Sequence, residues 1–256
     1  TDAAQPFKML VYTRTASFRH DSIPTAIKTI QELGAANNFQ VDATEDPAQF
    51  TDDNLAQYKV IAFVSTTGDV LNDTQQGAFE RWMAKGNGYV GVHSASDTEY
   101  DWPFYGEMVG AYFLCHPVFP VYAKGGPGVQ PGEFHVEAPD HPAVAHLPLP
   151  WTVSDEFYSF QTNPRGKVRV LMTVDEDSYN QYPNTSNLPT SPTFPLGVPG
   201  KMGDHPMSWC HDYGGGRAFY TELGHSEAMY AIPEYRLHLL NGILTAAGRL
   251  EADCTP

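Results

Sequence analysis

Long apolar runs are missing from this 256-residue sequence. No stretch approaches the roughly 20 residues a helix needs to cross a bilayer. The start, Thr1-Asp2-Ala3-Ala4-Gln5-Pro6, has neither a basic n-region nor an apolar h-region. We therefore expect a mature chain with no membrane partner. Basic residues are scarce: 15 Lys and Arg against 30 Asp and Glu leave a formal charge of -15. A phosphate backbone or anionic surface would be repelled, which argues against nucleic acid. Only three cysteines occur, Cys115, Cys210 and Cys254, and none stands in CxxC spacing, so zinc-knuckle and thioredoxin-like motifs are excluded. One disulfide with one remaining thiol is open, and the sequence does not choose the pair. HExxH, HxH and EF-hand loops are absent as well, so the case for a metal rests on the ten histidines alone.

What is present suits a large core. With 41% hydrophobic residues and no internal repeat, residues 1–256 read as one domain. Low lysine, many Tyr, Pro and Asn, and the sequons at Asn72 and Asn184 point to a secreted glycoprotein.

The order of elements is that of an α/β protein. Residues 7–13, 39–44, 58–65 and 88–93 read as strands, the third so continuously apolar that both its faces must be covered. Helical patterns over residues 24–33 and 72–85 fall between them. This alternation predicts a flavodoxin-like, doubly wound, mostly parallel sheet. Beyond residue 115 Pro and Gly become dense, and strands at 118–123, 133–137, 151–158 and 167–174 follow without intervening helices, which predicts an antiparallel extension. Residues 179–204 read as a long irregular loop, 207–211 and 217–223 as strands, and 233–247 as a closing amphipathic helix.

In such a sheet the ligand sits outside the carboxyl ends of the strands. Four segments deliver polar groups there: Phe18-Arg19-His20-Asp21-Ser22, Ser65-Thr66-Thr67-Gly68-Asp69, His93-Ser94-Ala95-Ser96-Asp97 and Gly224-His225-Ser226. Gly91-Val92-His93-Ser94-Ala95 has the small-residue flanks of a nucleophile elbow, but carries histidine. An imidazole there can be base, acid or metal ligand, or simply a packing group. His116 and His205 each precede proline, which holds them extended. His141 also precedes proline, but in an ordinary turn, and His135, His146 and His238 read as solvated or packing residues. Strand alternation puts Asp155 and Phe157 on one face and Glu156 and Tyr158 on the other. Aromatics around these segments, among them Trp102 and Trp209, suit stacking on pyranose rings or plain core packing.

Together FRHDSI, STTGD, GVHSASDTEYDW, the His-Pro at His116, DEFYSF, DHPMSWCHDYGGGRAFYTELGHS and the terminal helix resemble the trehalose-utilisation (ThuA-like) family over nearly the whole chain. That family is similar in fold to class I glutamine amidotransferases, and the elbow that holds their catalytic cysteine falls on His93, so amidotransferase chemistry is not expected. The resemblance implies a link to disaccharide and 3-keto-sugar catabolism.

Taken together, these readings give an enzyme acting hydrolytically or by elimination on a glycoside or 3-keto-glycoside. His93, Glu156, Tyr158 and Asp97 are its expected catalytic groups. His20, Thr67, Trp102, His205 and Trp209 are expected to bind substrate. His93, His116 and His225 are the expected ligands of a divalent metal (Zn, Mn or Co), with no nucleotide cofactor. The competing reading is a non-catalytic, secreted sugar-binding module.

Overall fold

The apolar stretch Val60–Val64 forms a strand buried along its whole length, as five consecutive apolar residues require when helices cover both faces of a sheet. In the computed structural model, which describes residues 5–117, 128–180 and 200–256, this strand is β3 and lies inside a nine-stranded sheet. The first half of the chain supplies β1 (Phe7–Tyr12), α1 (Ile23–Ala36), β2 (Phe39–Thr44), α2 (Asp52–Leu55), β3, α3 (Asp73–Met83), β4 (Gly88–Val92) and α4 (Pro103–Val109). The second half supplies β5 (Phe113–Cys115), β6 (Val129–Val136), β7 (Trp151–Glu156), β8 (Ser159–Phe160), β9 (Arg169–Val174), β10 (Pro206–Tyr213), β11 (Gly216–Thr221) and α5 (Pro233–Ala246). Sheet order is β2-β1-β3-β4-β11-β10-β9-β6-β7, while β5 and β8 form a separate two-stranded ribbon.

From β2 to β11 every pairing is parallel. From β11 to β7 all four are antiparallel. Four reversals restore the starting direction, so β7 runs with the parallel strands and its carboxyl end, Glu156, reaches the same edge as the ends of β1, β4 and β11. The mostly parallel sheet and its antiparallel extension are thus as the sequence predicts. The expected strand at 118–123 and most of the expected loop at 179–204 lie outside the described residues. Helix α4 and the β5–β8 ribbon escape the sequence reading, because both are short and glycine interrupts the helix pattern at Gly106.

Local chemistry sets the element ends. Asn72 opens α3 with a capping box: its Oδ1 accepts from Gln75 N, and the Gln75 side chain accepts from Asn72 N. Gly88 lets α5 lie close on β4, since a Cβ there would come within 2.2 Å of the Ala246 carbonyl oxygen. A disulfide joins Cys210 to Cys254, tying the residues after α5 to β10; Cys115 is buried outside it. No helix among the described residues is long and apolar enough to cross a membrane.

His238 of α5 is fully buried, with Nδ1–H donating to Ala143 O (2.7 Å) and Nε2 facing Thr221 Oγ (3.0 Å). Burial pushes its pKa down from 6.5 to about 3, so it folds neutral and gains a proton on unfolding in acid. The stability it contributes is complete above pH 6.5 and is lost as pH falls toward 3. In His238→Gln, urea unfolding is expected to show a shallower loss of stability with acid, by up to about 1.4 kcal/mol per pH unit. An unchanged slope would mean that His238 is already protonated in the fold.

Candidate functional site

At the carboxyl edge the strand ends bring three imidazoles together: His20 after β1, His93 after β4 and His225 after β11. Their ring centroids lie 4.8 to 5.2 Å apart. His93 holds the elbow, where its φ of 52° is a left-handed conformation that costs a residue with a Cβ about 1–3 kcal/mol. The surroundings hold it there: Tyr220 Oη donates to His93 O (2.8 Å), and His93 Nδ1–H donates to Glu222 O (2.8 Å). That second bond leaves Nε2 directed at Glu156, with 3.5 Å between Nε2 and Oε2.

Glu156 is the hub. Its Oε2 is 3.0 Å from His225 Nδ1, and its Oε1 is 3.2 Å from His116 Nδ1. Burial works against the carboxylate, but His225 and His93 beside it outweigh that and hold its pKa well below the usual range. Burial likewise works against a charged His93, yet Glu156 and Glu222 on either side raise its pKa far above the usual value. The proton thus held on His93 occupies the place that a cation's charge would take. His20 is pushed down to about 2, first by burial and then by the neighbouring His93, so its imidazole is neutral.

The residues fit a metal. His20, His93, Glu156 and His225 each offer a ligand atom, all within 4.8 Å of one another. His93 Nε2 and His225 Nδ1 are buried nitrogens without a hydrogen bond. Two ligand atoms on a tetrahedral divalent ion stand about 3.4 Å apart, close to the 3.0 and 3.5 Å separating these nitrogens from Glu156 Oε2. The set differs from the expected trio: His20 and Glu156 join it, whereas His116 stands at the rim with its Nδ1 donating to Pro117 O (2.7 Å). A second group, His141 with Cys210 and Cys254, has its sulfurs committed to the disulfide.

The cleft above the cluster encloses 360 Å³ and is lined by Phe18, His20, Asp97, His116, Glu156, Tyr158 and His225, with Ser17 and Phe113 completing the wall. Phe18 is 63% exposed at its mouth. The Tyr158 ring packs at a tilt against His93 and against Phe113, with centroids 4.3 Å apart in each pair, and burial holds its phenol well above the usual pKa. Asp97 accepts from Tyr100 Oη (2.6 Å), and burial raises its pKa. A larger depression of 820 Å³ lies at the opposite ends of the strands, beside Lys59 and Arg217, and holds no such convergence.

Four of the expected substrate-binding residues do not line this cleft. Trp102 is buried, stacks on Tyr105 and donates its indole N–H to Glu80 (2.8 Å). Trp209 is likewise buried, with its indole N–H on Val109 O (2.9 Å). Large aromatic surfaces favour the core, and here each indole N–H has found its partner there. His205 lies beneath the cleft floor, its Nδ1 3.0 Å from Glu176 Oε1 and its Nε2 donating to Tyr158 O (2.8 Å), so it supports Tyr158 from below. Thr67 is buried and donates to Phe18 O while accepting from Ser17 N, which anchors the rim loop. Two carboxylates have no role assigned to them in the sequence reading. Glu222 is wholly buried, accepts from Tyr158 N (2.9 Å) and lies 3.5 Å from His93 Nδ1; burial raises its pKa to about 7. Asp155 is the other. A carboxylate inside an apolar strand such as Arg217–Leu223 signals a buried partner, because an unpaired buried charge is too costly to keep.

Comparison with known proteins agrees with this architecture. Two ThuA-like crystal structures superpose on the chain. The one from Bacteroides uniformis shares 22% identity over 93% of this chain and 91% of its own, with a TM-score of 0.71. The one from Parabacteroides merdae shares 20% over 95% and 90%, with a TM-score of 0.68. A β-galactosidase from Bacillus circulans sp. alkalophilus matches 94% of this chain with 30% of its own at 12% identity and a TM-score of 0.51, a likeness of fold. No curated protein matches the sequence significantly. The family model described as trehalose utilisation matches residues 8–246, and with that span the chain belongs to the ThuA family.

Proposed function

We propose that the chain is a metal-dependent enzyme that cleaves glycosides carrying a ketone at C3, by elimination across C1 and C2. The observation that carries this reading is the convergence of His20, His93, Glu156 and His225 on one point at the floor of a cleft whose walls hold Tyr158, His116 and Asp97. The family's description supports a sugar as substrate, as does the exposed Phe18 ring at the mouth, a face on which a pyranose can stack.

A divalent ion held by the four side chains would supply Lewis-acid polarisation of the ketone oxygen. The other steps fall to groups of the chain. The C2 proton of a 3-keto-glycoside is acidified by the neighbouring carbonyl and needs a base. His116 suits it: its Nδ1–H is engaged by Pro117 O, which leaves the lone pair on Nε2, and burial lowers its pKa so that it stays neutral. As C2–H breaks, its electron pair forms the C1=C2 bond and the C1–O bond to the aglycone breaks. The departing oxygen takes a proton from Asp97, whose pKa burial raises above the ordinary carboxylate value. Tyr158 holds its own proton firmly and acts as a hydrogen-bond donor.

The test uses p-nitrophenyl 3-keto-glucoside and its unoxidised parent, with protein loaded with cobalt(II), zinc or manganese(II). Nitrophenol release from the ketone substrate only, abolished by a chelator, is the expected result. Release that ignores the chelator, or equal release from both substrates, would overturn the reading. Saturable sugar binding without release would assign the chain the role of a sugar-binding module instead.

A further inference from the structure

Two consecutive carboxylates close β7, and they face opposite ways. Glu156 enters the cluster; Asp155, fully buried, turns to the other side and accepts from four donors on the segment that carries His225. Gly224 N (2.7 Å) and His225 N (3.2 Å) donate to its Oδ2, and Ser226 N (2.9 Å) and Ser226 Oγ (2.8 Å) to its Oδ1. On the same segment the Gly224 carbonyl accepts from Tyr230 Oη (3.1 Å) and from Ser22 Oγ (3.2 Å), two residues beyond His20. Gly224 itself sits at φ +126°, and a Cβ there would come within 2.7 Å of Tyr235 Oη and 2.8 Å of Tyr230 Oη.

We infer that Asp155 is the positioning residue of the metal site: it clamps Gly224-His225-Ser226 so that the His225 imidazole presents Nδ1 to the point where Glu156 Oε2, on the next residue, also arrives. This rests on the metal reading above. Three backbone N–H groups converging on one carboxylate make a charge-assisted anchor, which fixes the loop against sliding or rotation. The Ser22 bond then ties the His20 loop to the same anchor, so two of the four ligand-bearing segments share one reference point. Through Asp155 and Glu156, β7 both orients one ligand and supplies another.

The experiment compares the wild type with Asp155→Asn and Ser226→Ala, following cobalt(II) titration by its visible spectrum and, without metal, the imidazole nitrogen NMR signals of His225, His141 and His238. Asp155→Asn keeps the shape but turns an amide toward donors. Its cobalt affinity is expected to fall about 10–100-fold, the scale of outer-sphere partners, with the His225 signals displaced and those of His141 and His238 in place. Ser226→Ala removes one of the four donors, leaves the fold intact and is expected to weaken cobalt several-fold. Affinities within about twofold of wild type in both variants would overturn the inference, being well below the outer-sphere range. Should the wild type take up no cobalt, the metal reading falls and the NMR alone decides Asp155: His225 signals that do not move in Asp155→Asn overturn its positioning role, and signals that move uphold it.

Discussion

Replacing His93 by alanine is expected to weaken cobalt(II) or zinc binding by more than the roughly 10–100-fold that outer-sphere partners contribute, and to remove ketone-dependent release of nitrophenol with it. The chain itself sets the orientation of the His93 ring. Its Nδ1–H is spent on the Glu222 carbonyl, so its Nε2 cannot exchange roles with it. His93→Ala also deletes the charge that opposes Glu156, leaving a buried carboxylate with fewer partners. A melting curve recorded alongside the titration separates the two effects. A variant that keeps its fold and still takes up cobalt as the wild type does would place the ion elsewhere.

The second large effect is a contrast between two histidines. His20→Ala is expected to lower metal affinity more than the roughly 10–100-fold of an outer-sphere loss, whereas His116→Ala is expected to stay within that range while ketone-dependent turnover collapses. His20 belongs to the set of four whose ligand atoms share one centre, and it is neutral, so no proton has to leave before it can bind. His116 touches Glu156 through the nitrogen it also directs at Pro117 O, and it stands on the cleft wall. Loss of metal in His116→Ala with none in His20→Ala would restore the ligand trio of His93, His116 and His225 that chain order suggests. Normal turnover in His116→Ala would remove it as the base.

Chain order revealed the parallel half of the fold because both signals there are strong. The apolar runs Val60–Val64 and Gly88–Val92 can be buried only between two layers of helix, and polar segments follow each of them. The elbow was legible from its small flanking residues, and its left-handed φ agrees with that reading. Which histidines meet was only partly legible. His20, His93 and His225 were placed by the rule that strand ends share an edge, but the edge at which Glu156 emerges depends on the strand count of the second half, where Pro and Gly are dense and no helices separate the strands. His205 misled because proline stiffening suits a buried ion pair as well as a binding site; the difference lies in Glu176, 29 residues away. Trp102 and Trp209 misled because a ring that can stack on sugar can equally fill a core. Alternation turned Asp155 away from Glu156, but its role left no trace, since three of its four donors are backbone N–H groups, which every residue type but proline provides.

The position of Glu156 is in the end a matter of parity. Any even number of antiparallel strands beyond β11 returns the last one to the ligand edge, and any odd number sends its end to the far side of the molecule. A hairpin can therefore be inserted or deleted in this half as a unit without moving the acid from its three imidazoles. Loss or gain of a lone strand would leave those imidazoles facing an edge with no carboxylate, which makes the hairpin the smallest step by which this half of the protein can change length and keep its chemistry.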